Sequence, residues 1–414
     1  MEESKLQERV YFDRDIELGQ DIIDGTEKFY LNKEVIKDDD VGLSAKQKFE
    51  SKLKASLSRM LNQKYQNIII LFGAGASVVP TSNINHRPDP KYGKVVSMLA
   101  NDVLNQLKGT KYYTLNQLAE LIKYPTEEFI DSGKINDKIF NLEKFISELQ
   151  MAVALKNNPR TKLAKSLEKI KEIITENVKY GGTSSKFKHA QLLNLMNARI
   201  NREQKLCVVT TNYDTVIEDQ AIDTGFLVID GFNYSRFPEF DDDLFEWNFV
   251  KSVPFVSTNE LIYKDKVLDL LKIHGSIDWF QKNGKIIRAK NGENTNRVMI
   301  FPSSNKYMQS YQDPYFELMS RFQSKLKQPN TLLLTVGFSF SDNHIAQMII
   351  QALKHNTSLN CLVTDYNISP QNNENFDELV KLKDKLGTIA FLGKSLNSQD
   401  SLVKYLGEND DENR

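Results

Sequence analysis

Polar or glycine residues follow each of four short apolar runs in this sequence. An imidazole can exchange a proton near neutral pH, a carboxamide donates and accepts hydrogen bonds without adding charge, and a carboxylate accepts them. The runs and the residues after them are 205–210 with Thr211, Asn212 and Asp214; 268–273 with His274; 331–336 with Gly337 and Ser339; and 359–364 with Asp365. These residue types could together bind a polar ligand and move a proton on it.

A glycine turn follows a fifth apolar run, Ile68 to Ile70, and spans Gly73-Ala74-Gly75-Ala76-Ser77. Such a turn is typical of the strand-to-helix junction of a dinucleotide site, because glycine lets backbone N–H groups close on a pyrophosphate. The usual third glycine is absent, and Val78-Val79-Pro80 follows instead. The turn alone therefore leaves two interpretations open, a phosphate-binding loop or a structural corner.

The order of apolar runs and helical patterns predicts the elements that must position these residues. Short apolar strands that alternate with helices indicate a parallel sheet covered on both faces, and ligands bind at the carboxyl edge of such sheets. We therefore predict an α/β fold, a Rossmann-like parallel sheet with helices on both faces, plus a large helical insertion and an N-terminal helical extension. The predicted strands are 67–72, 205–210, 268–273, 331–336 and 359–364.

Changes in composition and periodicity along the chain predict its organisation. In the N-terminal part, Phe49, Leu53, Leu57 and Leu61 recur every four residues, as on one face of a helix. The predicted parts are an N-terminal helical extension over 1–60, a Rossmann domain over 61–94 and 203–406, a helical insertion over 95–202, and an acidic tail over 407–414.

Several candidate residues also have a purely structural interpretation. Asn212 or Asp214 could cap a helix over 215–221, and His274 could be a buried histidine with satisfied hydrogen bonds. Ser341 or Asp342 is expected to cap a helix over 343–353, which is compatible with a functional role. The remaining interpretations are Trp279 in the core, His189 and His355 on helix surfaces, His344 near the site, and His86 and Arg87 in a polar loop.

Composition narrows the possible partners and setting. The 414 residues carry 54 Lys and Arg against 55 Asp and Glu, so the net charge of -1 provides no general attraction to nucleic acid or anionic lipid. Cys207 and Cys361, both in apolar runs, suit buried thiols in a reducing compartment. No signal peptide and no run of about 18 apolar residues is found. We expect a cytoplasmic protein without membrane attachment or direct nucleic-acid binding.

Four segments in this order resemble the sirtuin-like NAD-consuming fold: GAGAS, TTNYD, KIHGSIDW and VGFSFSDNH. In that family they are the pyrophosphate loop, the nicotinamide and ribose segment, the catalytic His-Gly segment and a cofactor loop. The resemblance covers roughly 65–90 and 205–370. The segments HGSIDW, FPSSNK and GFSFSD resemble those of the SIR2-like branch found in bacterial anti-phage systems more than those of protein deacylases. Members of that branch hydrolyse NAD.

Two departures from the deacylase pattern support this division. Deacylase sirtuins carry a Gly-Ile-Pro-Asp-Phe-Arg segment after the glycine turn, where this chain has Val78-Val79-Pro80-Thr81-Ser82. They also carry four zinc-binding cysteines after the His-Gly segment, whereas no cysteine occurs from Ser276 to Phe301. A tetrahedral thiolate zinc site cannot be built there, so no metal is expected.

The resemblance implies a role for each candidate residue. Asn212 would hold the ribose or the attacking water, and His274 would act as general base. The residues implied in binding NAD are Gly73, Ala74, Gly75 and Ser77 at the pyrophosphate, Thr211 and Asp214 beside nicotinamide, Gly337 and Ser339 at phosphate or adenosine, and Asp365 at a ribose.

The resemblance also implies an NAD glycohydrolase that depletes NAD as the effector of an anti-phage defence system. It implies a homo-oligomer regulated by a hexameric ATPase of the HerA type, docked on the N-terminal extension or the helical insertion. Two alternatives remain open, an NAD-dependent protein deacylase and a non-catalytic module that senses NAD or ADP-ribose. A protein that binds or cuts nucleic acid is disfavoured, because the net charge is close to zero and the sequence contains no metal-ligand cluster.

Overall fold

The computed structural model describes residues 8–23, 25–38, 42–81, 88–124, 129–136, 139–156, 158, 161–180, 185–253, 261–289, 297–299, 314–370 and 372–407. His86, Arg87, the FPSSNK segment at 301–306 and the predicted acidic tail beyond Gly407 lie outside these residues.

Strands and helices alternate through most of the described chain. The strands are β1 Glu8–Phe12, β2 Glu17–Ile23, β3 Thr26–Leu31, β4 Glu34–Val35, β5 Asn67–Phe72, β6 Ile130–Asp131, β7 Lys134–Ile135, β8 Leu206–Thr210, β9 Leu227–Ile229, β10 Val250–Ser252, β11 Leu261–Tyr263, β12 Val267–Lys272, β13 Gly275–Lys282, β14 Lys285–Arg288, β15 Arg297–Met299, β16 Thr331–Val336, β17 Leu359–Asp365 and β18 Ile389–Gly393. The helices are α1 Ala45–Leu61, α2 Ala74–Ser77, α3 Val96–Gln106, α4 Leu115–Ile122, α5 Leu142–Lys156, α6 Lys162–Asn177, α7 His189–Asn197, α8 Val216–Asp223, α9 Tyr315–Leu326, α10 Asn343–His355, α11 Glu374–Leu386 and α12 Leu402–Leu406.

A central sheet organises the fold. Its described strands lie in the order β4-β3-β2-β1-β18-β17-β16-β5-β8-β12-β9, and the seven from β18 to β9 pair in parallel. The predicted α/β class with a parallel sheet is confirmed. Strands 67–72 and 331–336 have their predicted bounds, and the other three differ by one residue at one or both ends. They could be predicted because strands buried on both faces read as continuous apolar runs.

Helices cover both faces of this sheet. On one face, Leu53 of α1 and Leu192 of α7 belong to a core cluster with Ile70 of β5. On the other face, Phe322 of α9 and Ile349 of α10 belong to a second cluster, which also contains strand residues. Burial of these apolar side chains is the main driving force for the assembly.

The N-terminal extension differs from its predicted helical structure. Within it, α1 is the one α-helix among the described residues, and β1 to β4 form antiparallel strands that extend the central sheet. Tyr11 of β1 lies opposite Leu392 of β18, so the extension covers what would otherwise be an exposed edge strand. The four-residue periodicity began only at Phe49, and the short charged strands before it carried no comparable signal.

The region predicted as a helical insertion has a core of its own. Val103 of α3, Leu118 of α4, Phe145 of α5 and Ile170 of α6 belong to one cluster, which also includes Ile277 of β13 and Met299 of β15. The small hairpin β6–β7 lies in the same region. Helix α7, also inside the predicted insertion, packs instead with the core of the sheet.

Both cysteines are buried thiols, as predicted, and burial raises the pKa of Cys207 and of Cys361 to about 12. Trp279 is buried in the core, also as predicted, and its ring lies 5.1 Å from that of Phe232. No helix among the described residues has the length and apolarity required to cross a bilayer.

His189 was predicted on a helix surface, and this prediction is wrong. The side chain is fully buried, with ring centroids 5.0 Å from Phe72 and 6.0 Å from Phe187. Neither ring nitrogen has a hydrogen-bond partner among the described residues. Burial lowers the pKa of His189 to about 3, so the imidazole is neutral in the folded protein at neutral pH.

We expect His189→Phe to reduce the loss of stability at acidic pH. The folded pKa of about 3 lies below the ordinary value of 6.5, so between these values the unfolded chain binds the extra proton. The contribution of His189 to the free energy of unfolding is therefore fully present above pH 6.5. Below that pH it decreases by up to about 1.4 kcal/mol per pH unit. Urea unfolding at pH 7.0, 6.0 and 5.0 measures the difference.

The matched control is His355→Phe, because His355 is exposed on α10. This variant should keep the pH dependence of the wild-type protein. An unchanged pH dependence in His189→Phe would contradict the assignment of a neutral buried imidazole.

Candidate functional site

The predicted residues meet at a cavity between the carboxyl edge of the sheet and the helical insertion. Its volume is about 1270 Å³, and it is lined by all of the predicted site residues except Gly73. This convergence follows from the topology, because parallel strands present their carboxyl ends at one edge. Lining residues from the predicted set are Ala74, Gly75, Ser77, Thr211, Asn212, Asp214, His274, Gly337, Ser339 and Asp365.

The glycine turn is pressed against the loop that follows β16. A Cβ on Gly73 would lie 2.5 Å from the carbonyl oxygen of Gly337, and one on Gly75 would lie 2.9 Å from the Cα of Gly337. Gly337 has a φ of +60°, and its own Cβ would lie 2.3 Å from the nitrogen of Ala76. The three glycines are thus required by contact between two backbones, whether or not a ligand is present.

Most amides of the turn are already used within the chain. Gly73 donates to the carbonyl of Val336, Gly75 to that of Gly337, and the next amide, of Ala76, to that of Gly73. Of the amides of residues 73–76, the Ala74 amide alone has no acceptor among the described residues. The turn can therefore offer a phosphate this amide, which is fewer donors than the sequence motif suggested.

Asn212 joins the segment after β8 to the glycine turn. Its Nδ2 donates to the carbonyl of Gly73 (3.0 Å) and to Oγ of Ser77 (2.9 Å). Ser77 Oγ in turn donates to Oδ2 of Asp214 at 2.7 Å. These bonds fix the amide orientation, and Oδ1 of Asn212 receives none from the described residues. Since Asn212 lines the cavity, Oδ1 can accept a hydrogen bond from a bound molecule.

A buried lysine, Lys272, contacts the backbone of Asp214. Nζ of Lys272, at the end of β12, donates to the carbonyl of Asp214 and lies 2.8 Å from Oε1 of Glu218. Burial raises the pKa of Asp214, against the opposing effect of Lys272. Burial likewise raises the pKa of Glu218 to about 7. Asp214 Oδ1 also accepts from the amide of Val216. Thr215 occupies the N-cap position of α8, so the structural interpretation that Asn212 or Asp214 caps this helix is wrong.

His274 follows β12 and faces the loop after β16. Its Nε2 lies 3.3 Å from Oδ2 of Asp342, and each side chain is only 8% exposed. Asp342 also caps α10, because its Oδ1 accepts from the amide of His344 at 3.0 Å. Of the two predicted capping residues, Asp342 occupies the cap position, and Ser341 lines the cavity.

The remaining predicted residues lie towards the end of the cavity that β16 and β17 form. Ser339 Oγ donates to Ser341 Oγ at 3.1 Å, and Asn373 donates to the Ser339 carbonyl at 2.7 Å. Asp365 accepts from the amide of Asn367, and burial raises its pKa to about 6. A carboxylate here could accept from a sugar hydroxyl.

The opposite wall comes from the insertion and from Lys94 just before it, and it was not predicted. Lys94 and Tyr180 line the cavity, and the Tyr180 hydroxyl accepts from the Lys94 amide at 3.1 Å. The Lys94 ammonium is paired with Asp102 at 2.7 Å. Glu143, near the start of α5, lies on the same wall. No motif marks these residues, because they reach the cavity only through the packing of the insertion.

Asn397 is a further residue that sequence reasoning missed. Its Nδ2 donates to the carbonyls of Ala76 (2.7 Å) and Val78 (3.0 Å), and these bonds hold the end of the glycine turn in place. It follows β18, and the rule that polar residues follow strands would have found it had that strand been predicted. The described residues contain no cluster of three or more His, Cys, Asp or Glu side chains that could hold a metal.

Comparison with known protein families finds a match for one part of this chain. Residues 206–389 match the model of the SIR2-like domain, a span that includes Asn212, His274 and Asp342 but not the glycine turn. No curated protein matches the sequence significantly. A solved structure from work on the mechanism and regulation of Sir2 enzymes superposes with a TM-score of 0.37 at 11% identity, over 86% of this chain and 96% of that one. At so low a TM-score the superposition supports neither fold nor function.

We expect Gly337→Ala to destabilise the protein by about 3–5 kcal/mol. The new methyl would clash with backbone of the glycine turn and would sit at a positive φ, and neither backbone can move away without disturbing its strand. Chemical denaturation measures the loss.

Gly284→Ala separates the clash from the backbone strain. Gly284 has a φ of +78° but open space around its Cβ position, so this variant should cost only about 1 kcal/mol. Equal losses for the two variants would mean that the loop contact is not the constraint described above.

Proposed function

We propose that this chain hydrolyses NAD, cleaving the bond between nicotinamide and ribose to give nicotinamide and ADP-ribose. One observation carries the proposal: Asn212 and His274, from two strand ends, line the same cavity as the glycine turn. Both residues fall in the segment that matches the SIR2-like domain. The motif resemblance supplies the identity of the substrate.

The size of the cavity suits a dinucleotide. Pockets for drug-sized ligands have volumes of about 300–1,000 Å³, and this cavity, at about 1270 Å³, has room for a larger molecule. It also runs along several strand ends, from His274 after β12 to Asp365 at the end of β17. An elongated ligand with polar groups at both ends can use that length.

Asn212 has the atoms required to orient the reacting groups. Because both Nδ2 hydrogens are bonded within the chain, Oδ1 is the atom that can accept from a ribose hydroxyl or from water. Fixing such a group before the reaction removes an entropy cost from the chemical step. Asn212 would thereby act as an acceptor of fixed direction.

Carboxylates in the cavity lining can stabilise a transition state with positive character. Cleavage of a glycosidic bond develops oxocarbenium character on the sugar, which nearby carboxylates stabilise. Asp214, Glu143 and Asp342 all line the cavity. His274 would take the proton of the attacking water, and neutral nicotinamide would leave with the electron pair of the broken bond.

The sequence disfavours protein deacylation by the same site. Four cysteines hold zinc in deacylase sirtuins, and this sequence has two, both buried in the central sheet. The segment after His274 forms the antiparallel sheet β14-β13-β15. Hydrolysis of NAD requires no acyl peptide and therefore no cleft that binds one.

We further propose that the hydrolase is the NAD-depleting effector of a bacterial anti-phage system in the cytoplasm. The support is the resemblance of HGSIDW, FPSSNK and GFSFSD to that branch. The same resemblance supports a homo-oligomer regulated by a HerA-type hexameric ATPase. In this arrangement the partner restrains or triggers an activity that would otherwise exhaust NAD.

We expect the wild-type protein to release nicotinamide from NAD without an acyl peptide, alone or with a HerA-type ATPase. Loss of a general base typically costs about 10²–10⁴-fold in rate, so His274→Ala should lower kcat by that factor. Asn212→Ala should lower it by a similar factor. Chromatographic quantification of nicotinamide and ADP-ribose measures both.

Matched controls are His355→Ala and Asn201→Ala, two exposed residues outside the cavity lining. They should keep wild-type turnover. Thermal unfolding of each variant is needed because Asn212 also holds the glycine turn. If NAD binds but stays intact with and without the ATPase, the hydrolase proposal fails and a sensing module replaces it.

A further inference from the structure

The contact between His274 and Asp342 shows which nitrogen of the imidazole faces the carboxylate. Nε2 of His274 lies 3.3 Å from Oδ2 of Asp342, and both side chains are buried against solvent. The two residues follow different strands, β12 and β16, so no sequence pattern pairs them. The chemistry of this pair follows from which atoms face each other.

The Asp342 carboxylate cannot turn freely. Its other oxygen, Oδ1, accepts from the amides of His344 (3.0 Å) and Ile345 (3.4 Å) in the first turn of α10. These helix-capping bonds hold Oδ1 towards α10 and leave Oδ2 towards His274. The 13-residue helix thus sets the direction of the carboxylate.

A carboxylate accepts hydrogen bonds and does not donate them, so its charge favours a proton on the imidazole nitrogen that faces it. In a neutral histidine that proton sits on one nitrogen only, and the other nitrogen keeps its lone pair. Asp342 therefore selects the Nε2–H form and leaves Nδ1 as the basic atom.

We propose that Asp342 is a positioning residue that holds His274 in the Nε2–H form, so that Nδ1 is the general base. This inference rests on the proposed hydrolase function. In the step, Nδ1 takes a proton from water, and the water oxygen bonds to the ribose carbon. The carbon–nitrogen bond breaks, its electron pair leaves with nicotinamide, and the imidazolium then returns its proton to solvent. Asp342 faces the imidazolium during the step.

Asp342→Asn tests the pairing without removing the helix cap. Asparagine is an equally good cap, so its Oδ1 should stay on α10 and turn Nδ2 towards His274. A donor would then face Nε2, and the proton would move to Nδ1. We expect kcat for NAD hydrolysis to fall by about 10²–10⁴-fold, with KM within about threefold of wild type.

Asp342→Ser keeps a capping oxygen but is too short to reach the imidazole, so it should lower kcat less than Asp342→Asn does. Asp377→Asn, an exposed residue of α11, is the control and should leave kcat unchanged. A purely structural role for Asp342 would predict wild-type kcat in Asp342→Asn, because the cap is conserved.

Nitrogen-15 NMR of the histidine side chains gives a readout independent of turnover, with His274 assigned by comparison with His274→Gln. We expect the Nε2–H form in the wild-type protein and the Nδ1–H form in Asp342→Asn. The same form in both proteins, or unchanged kcat in Asp342→Asn, would overturn the inference while leaving the hydrolase proposal standing. Absence of NAD turnover in the wild-type protein would overturn the hydrolase proposal instead, and the NMR comparison would still decide the pairing.

Discussion

The close approach of two backbones, the glycine turn after β5 and the loop after β16, is the constraint on which the site depends. These strands are parallel neighbours, with Phe72 opposite Val336, so both loops leave the sheet at the same level. They can touch only because Gly73, Gly75 and Gly337 lack side chains. This contact fixes the position of one edge of the cavity. The residues that follow β8 and β12 line the cavity next to that edge.

Buried polar groups transmit this constraint to the candidate site. Asn212 joins the turn to Ser77 and Asp214, and Lys272 holds the Asp214 carbonyl from within the sheet. Burying Lys272 and Glu218 is costly, and their ion pair offsets part of that cost. A network of this kind contributes rigidity at the atoms that would bind a substrate. A substitution in it therefore affects stability and activity together.

Two parts of the chain form one cavity. The sheet supplies the strand-end residues, and the insertion supplies the wall that carries Glu143 and Tyr180. The apolar core of the insertion also includes Ile277 of β13 and Met299 of β15. The proposed catalytic groups lie on the sheet, where strand ends hold them.

The sequence by itself determined the parallel strands and most of the candidate site, because strands buried on both faces are continuous apolar runs and polar residues after them must share one edge. Tertiary structure decided what depends on contacts between distant segments. The β1 to β4 extension forms where β18 offers an edge, and His189 is neutral because Phe72 and Phe187 surround it. The pairing of His274 with Asp342 likewise required two strand ends to be brought together, which no local pattern specifies.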